Sequence, residues 1–67
     1  MINDYLNLAG EEHVFPDGVR LRVVQLKQRE ETWWVTYETD YGKSLPRRFT
    51  QKLGEFVDAY GHLFPRT

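Results

Sequence analysis

Two runs, VRLRVVQLK (19–27) and TWWVTYETD (32–40), are separated by only the four polar residues QREE. In the first, Val19, Leu21 and Val23 alternate with Arg20 and Arg22, the period-two mark of a half-buried strand. The phase slips at Val23 and Val24, after which Val24 and Leu26 are the apolar positions, so a bulge or a strong twist is expected there. The second run is rich in β-branched and aromatic residues. It places Trp33, Val35 and Tyr37 on one face and Trp34, Thr36 and Glu38 on the other. A hairpin of two such strands is not stable alone in water. The rest of the chain must cover one of its faces.

The best candidate for a cover lies at the C-terminal end. From Ser44 onward, Leu45, Phe49, Leu53, Phe56, Val57 and Tyr60 form one apolar stripe at helical spacing, which predicts a helix of three to four turns. Pro46 suits its first turn and Gly61 its stop. Gly54 falls inside this helix, where it should cost about 1 kcal/mol relative to Ala. Leu63 and Phe64 follow and are placed to tuck under the sheet. Ahead of the strands, FPDGV reads as a turn, with Pro16 presetting φ and Gly18 accepting a positive φ, after a short extended piece from His13 to Phe15. INDYLNLAG predicts one short helical turn carrying Tyr5, Leu6 and Leu8, with Asn3 or Asp4 as its cap and Gly10 at its end. The expected fold class is α+β: a small antiparallel sheet of two long strands, brought to three or four by short partners, packed on one C-terminal α-helix.

Sixty-seven residues suffice for a single small domain, 1–67. A chain of this length buries only about 60% of its unfolded surface, so its core must be dense in large side chains, and aromatics make up 15% of it. Without cysteine there is neither a disulfide nor a thiolate metal site. No run approaches the ~20 apolar residues of a membrane span, and the N-terminal residues lack a secretion pattern. A soluble, cytoplasmic protein that does not engage a membrane is the expectation.

Catalytic chemistry is not expected. His13 and His62 fall in different elements without metal-ligand spacing. Ser44, the only serine, reads as a cap near Pro46. The pairs Glu11-Glu12 and Glu30-Glu31 sit in predicted turns, where carboxylates stay ionised and solvated. A chain this small also leaves little room for a pocket of the usual ~300 Å³ or more. The expectation is a protein that is not an enzyme, with no cofactor and no metal.

Charge singles out two surfaces. Residues 1–40 hold eight acids and four bases, whereas residues 41–67 hold five bases and two acids. Within YGKSLPRRFTQK, Lys43, Arg47, Arg48 and Lys52 gather at the predicted helix start, where partial positive charge already resides. A phosphate there would suit the N–H groups and the guanidinium forks together, which makes this a candidate nucleic-acid-binding site. Alternatively, Arg47 and Arg48 pair with acids of the first half, such as Glu38 or Asp40. Trp34 is the second candidate. Facing away from the helix, and beside Arg20 or Arg22, it has the composition of a partner-binding hot spot. It is buried instead if Tyr5, Leu6 and Leu8 fold over it.

The run DGVRLRVVQL…WWVTYETDYGKSLPRRFTQKLGEF resembles a family of short prophage-encoded proteins of unknown function. The matching positions are Asp17, Val35, Tyr37, Pro46, Arg48 and Phe49, over roughly the central half of the chain. A cysteine of that family before the proline has no counterpart here. The resemblance implies a phage or mobile-element origin and gives no activity to carry over. The functional expectation is a non-catalytic module contacting nucleic acid through a basic helix N-terminus. The alternative is a protein–protein module, an inhibitor or adaptor of a host protein, using Trp34 and the strand face or edge. It includes a nucleic-acid mimic built on the Glu11-Glu12 and Glu30-Glu31 turns. A homodimer joined through exposed aromatics is a further possibility.

Overall fold

The computed structural model describes residues 2–66, with the side chain of Ile2 left aside. After a 3₁₀ turn at Ile2–Tyr5 come four strands: β1 (Glu12–Val14), β2 (Arg20–Arg29), β3 (Thr32–Asp40) and β4 (Arg47–Lys52). Helix α1 (Leu53–Tyr60) follows directly, then a 3₁₀ turn at Gly61–Leu63. The strands form one antiparallel sheet in the order β1-β2-β3-β4. This α+β domain is a meander packed on a single C-terminal helix.

Local chemistry sets each hairpin. Between β1 and β2, the Gly18 N–H donates to the Phe15 carbonyl at 2.9 Å and the Phe15 N–H to the Val19 carbonyl at 2.8 Å. Gly18 takes the positive φ of +90° that this turn requires. Between β2 and β3 the turn is only two residues long, because Arg29 pairs with Thr32. Glu30 there adopts a φ of 58°, a conformation that side chains other than Gly and Asn resist. The slip in β2 is a bulge. Val23 faces Tyr37 and Gln25 faces Thr36, so Val24 is the extra residue and is left exposed. The bulge keeps Leu21 and Val23 before it, and Leu26 after it, on the same side of the sheet.

That side is the core. Leu8, Leu21, Val23, Val35, Tyr37, Leu53, Phe56 and Phe64 are buried together, with Tyr5, Phe15, Trp33, Val57, Tyr60 and Leu63 packed around them. The expected short helix at the N-terminal end is a 3₁₀ turn instead. The segment after it brings Leu8 into the core, where it is fully buried. Arg66 ties the two ends of the chain together, donating to both carboxylate oxygens of Glu11 at 3.2 and 2.9 Å and lying 5.5 Å from the Tyr5 ring centroid.

The predicted helix begins too early. Residues 47–52 are a strand, and α1 starts at Leu53. Leu45 is 87% exposed and Phe49 40%, so neither belongs to the helix's buried face, which consists of Leu53 and Phe56. Cross-strand partners explain the outcome. Phe49 stacks on Tyr37 (ring centroids 5.4 Å apart), Gln51 accepts a hydrogen bond from the Tyr37 hydroxyl at 3.1 Å, and Thr50 lies hydroxyl to hydroxyl with Thr36 at 3.0 Å. Without β4, the long strand β3 would be an unpaired edge. Gly54 is thereby the second residue of α1, in the helix's first turn, and the interior penalty does not apply. Gly61 has helical φ and ψ rather than a left-handed stop. A Cβ on it would lie 3.0 Å from Val57 Cγ1 and 3.3 Å from the Tyr5 hydroxyl, so close packing is what asks for glycine there.

Candidate functional site

Because α1 and the terminal turns all lie on the core side, the opposite face of the sheet is bare among the described residues. Side chains alternate along a strand, so the pairing registers fix what this face carries. Four rows run across it. Arg20 lies opposite Asp40, and Arg22 opposite Glu38 and, through it, Arg48. Gln25 is level with Thr36 and Thr50, and Lys27 with Trp34 and Lys52. Glu12 and Val14 of β1 extend the first two rows, and Arg29 and Thr32 close the far end.

The charge on this face is lopsided. It carries six of the chain's nine basic residues (Arg20, Arg22, Lys27, Arg29, Arg48, Lys52) and three of its ten acids (Glu12, Glu38, Asp40). One row is internally neutralised. Glu38 accepts from Arg22 Nη2 at 2.9 Å and from Arg48 Nη2 and Nε at 2.7 and 3.1 Å. These hydrogen bonds, Arg48's first and then Arg22's, hold its carboxyl below the usual glutamate range. At the other end, Lys27, Arg29 and Lys52 make no ion pair within 4 Å among the described residues. Trp34 stands between the two lysines, half-buried by its neighbours. A hollow of about 320 Å³ opens above it, lined by Gln25, Lys27, Arg29, Trp34, Thr36 and Thr50.

Several expected placements change. Arg47, Arg48 and Lys52 are not on a helix's first turn but on β4, for the pairing reasons given above. Arg48 takes the ion pair with Glu38 that was the alternative expectation, and Arg47 lies opposite Thr39. Lys43 is exposed in the loop leading to β4. Trp34 is neither under the N-terminal turn, which packs against α1 on the far side, nor beside Arg20 and Arg22. Its β2 partner is Lys27. Sequence reasoning missed Lys27 and Arg29. Their signal was the turn length, since a two-residue turn at Glu30-Glu31 sets Lys27 opposite Trp34 by counting.

The acid pairs do not form a phosphate-like row. Glu11 is taken by Arg66, while Glu12 and the Glu30-Glu31 turn lie at opposite ends of β2, on the order of 25 Å apart at the usual rise per residue.

Hollows of the size thought too large for this chain do occur, as open depressions. One of about 600 Å³ lies between Asn3, Asp4, Leu6, Asn7, Pro65 and Arg66, where Arg66 already binds Glu11. His13 packs edge-on against Phe15, ring centroids 4.8 Å apart, and His62 is exposed. Among the described residues, no three His, Cys, Asp or Glu side chains gather as metal ligands, and no helix is long and apolar enough to cross a membrane. Comparison with known protein families, with curated proteins and with solved structures finds no match to this chain.

Proposed function

We propose that this chain is a small non-catalytic binding module that takes nucleic acid on the open face of its sheet. The observation that carries this is the segregation of charge. A chain of net charge −1 places two thirds of its bases and under a third of its acids on one uncovered face. Such a face attracts a polyanion even though the whole molecule is mildly acidic. Of the other acids, Glu30 lines a hollow with Arg29, Thr32 and Trp34 at the end of the face, while Glu31, Glu55 and Asp58 line a separate hollow around Trp33 at the margin near Lys52 and would repel a polyanion that strayed off the face.

Fluorescence anisotropy of labelled DNA and RNA, titrated with the protein across a salt series, tests this. Affinity should fall with a log–log slope of roughly −0.7 to −0.9 per phosphate neutralised, and Lys27→Glu/Lys52→Glu should remove binding while the fold is retained. Absence of binding at low salt, where electrostatics are strongest, would refute it.

A second site has its own support. Tyr41 (56% exposed), Leu45 (87%) and Phe49 (40%) lie along the approach to β4 and on β4 itself, whose outer edge pairs with no other strand among the described residues. Exposed apolar side chains beside a free edge suit a protein partner that adds a strand. Binding there should respond little to salt and be lost in Leu45→Ser. A partner whose affinity survives that change does not use this edge.

A further inference from the structure

A basic face alone does not distinguish a double strand from a single one, but the row through Trp34 does. Lys27 and Lys52 lie directly on either side of Trp34, one strand away in each direction. Neighbouring strands are about 4.8 Å apart, so the two lysine Cα atoms stand roughly 10 Å apart across an aromatic ring. Both are exposed and make no ion pair among the described residues, whereas the guanidinium groups of the next charged row are held by Glu38. The row between them carries only Gln25, Thr36 and Thr50. The two threonines are short, and the hollow over Trp34 is the space they leave.

We infer, resting on the open-face proposal above, that the occupant is single-stranded nucleic acid that crosses β2, β3 and β4, with one unstacked base against Trp34 and its flanking phosphates on Lys27 and Lys52. An aromatic ring can accept a base only by its flat face, and in a duplex those faces are covered by neighbouring bases. Among the described residues the open side of the sheet presents no helix that could enter a groove, and at Trp34 it is three strands wide, one more than the two-stranded ribbon a major groove admits. A single strand offers what the row can take: a π-face at the centre and a negative charge on each side. Four-carbon lysine stems let both ammonium groups close on consecutive phosphates. Gln25 and the Thr36 and Thr50 hydroxyls line the same hollow and can meet the polar edge of the base.

The test compares three labelled ligands of equal length at low salt: oligo(dT), an abasic strand with the same phosphates and no bases, and a duplex. Oligo(dT) should bind more tightly than the abasic strand by roughly 5- to 150-fold, the range for stacking one base on an aromatic ring. Trp34→Ala should erase that difference between the two strands, and Trp34→Phe should keep most of it. In a Trp33→Phe background, where Trp34 is the only tryptophan, oligo(dT) should quench the emission and the abasic strand should not. If that background fails to fold, the Trp34→Ala comparison decides alone. Equal affinity for oligo(dT) and abasic strands, or tighter binding of the duplex, would overturn this inference and leave the basic face as a nucleic-acid site. Failure of all three ligands to bind would overturn both.

Discussion

Glu38 is the carboxylate that most limits how much positive charge the open face offers, and Glu38→Gln isolates its effect. Glu38 accepts three hydrogen bonds from Arg22 and Arg48 and is only 14% exposed, while the two arginines are more than half exposed. Glutamine keeps the shape and one acceptor oxygen but removes the charge that ties both guanidinium groups down. If each then engages a phosphate of a single strand, the log–log salt slope steepens by about 1.4, twice the ~0.7 per phosphate expected for single strands. Over a fourfold change in salt, from about 50 to 200 mM, affinity would fall about sevenfold further than in the wild type.

The assay is anisotropy of labelled oligo(dT) at several salt concentrations, alongside a thermal melt. The melt is needed because Arg22 and Arg48, left facing each other without the carboxylate, should lower stability. Tighter binding at low salt with a steeper slope is the expected result. An unchanged slope in a folded variant would show that these arginines do not meet the ligand, and would refute the reasoning that Glu38 holds back charge the bound strand would otherwise engage.

Three further outcomes follow from individual side chains. The Thr39 hydroxyl is buried with no hydrogen-bond partner among the described residues, so Thr39→Val should raise stability in a urea melt by about 1 kcal/mol; a loss would mean the hydroxyl is satisfied. Glu30 has a φ of 58°, so Glu30→Gly should relieve about 1–2 kcal/mol of left-handed strain against about 0.5–1 kcal/mol of added chain entropy, a net gain in melting temperature that a measured decrease would contradict. The carboxyl of Glu38 is held low in the folded protein. Its contribution to stability is therefore complete above the unfolded value of about 4.3 and fades as pH falls through the lower folded value. Glu38→Gln should flatten that acid limb, and identical acid limbs would place the dependence on another group.

Much of the sheet was legible because its signals were local. The alternation of Val19, Leu21 and Val23, and its slip one residue later, became a strand with a bulge at Val24. The four-residue spacing of Leu45, Phe49 and Leu53 misled because RRFTQK satisfies a second period as well. Arg48, Thr50 and Lys52 alternate with Phe49 and Gln51, and the need to pair β3 decided between the two. Pro46 did not discriminate, since it is tolerated at the start of a strand as well as of a helix. Gly54 did carry a warning, as it sits better in a helix's first turn than in its middle. The site was half legible. Parity along TWWVTYETD points Trp34 away from the core, but its neighbours depend on register. That register is set by a tight turn whose left-handed residue is a glutamate, a residue type that does not advertise such a turn.

The adjacent tryptophans separate fold from function. Trp33 and Trp34 share one strand and opposite faces: Trp33 packs against the core, and Trp34 is half-buried on the open face among Lys27, Arg29, Thr36 and Lys52. A bare sheet face needs no large aromatic to be stable. Threonine, β-branched and polar, is at home there, as Thr36 and Thr50 next to it show. Trp34→Thr should therefore leave stability within about 1 kcal/mol of the wild type, the full span of strand propensity. Trp33→Thr should lose more, because Trp33 packs against the core, although its partial burial keeps the loss below the roughly 3–5 kcal/mol for a fully buried tryptophan. A thermal or urea melt of the two variants decides. If Trp34→Thr is as damaging as Trp33→Thr, Trp34 serves the fold and the case for a base on its ring falls. If Trp34→Thr is nearly silent, the ring is not needed for the fold, which is what a base-stacking role between two lysines without ion pairs among the described residues requires.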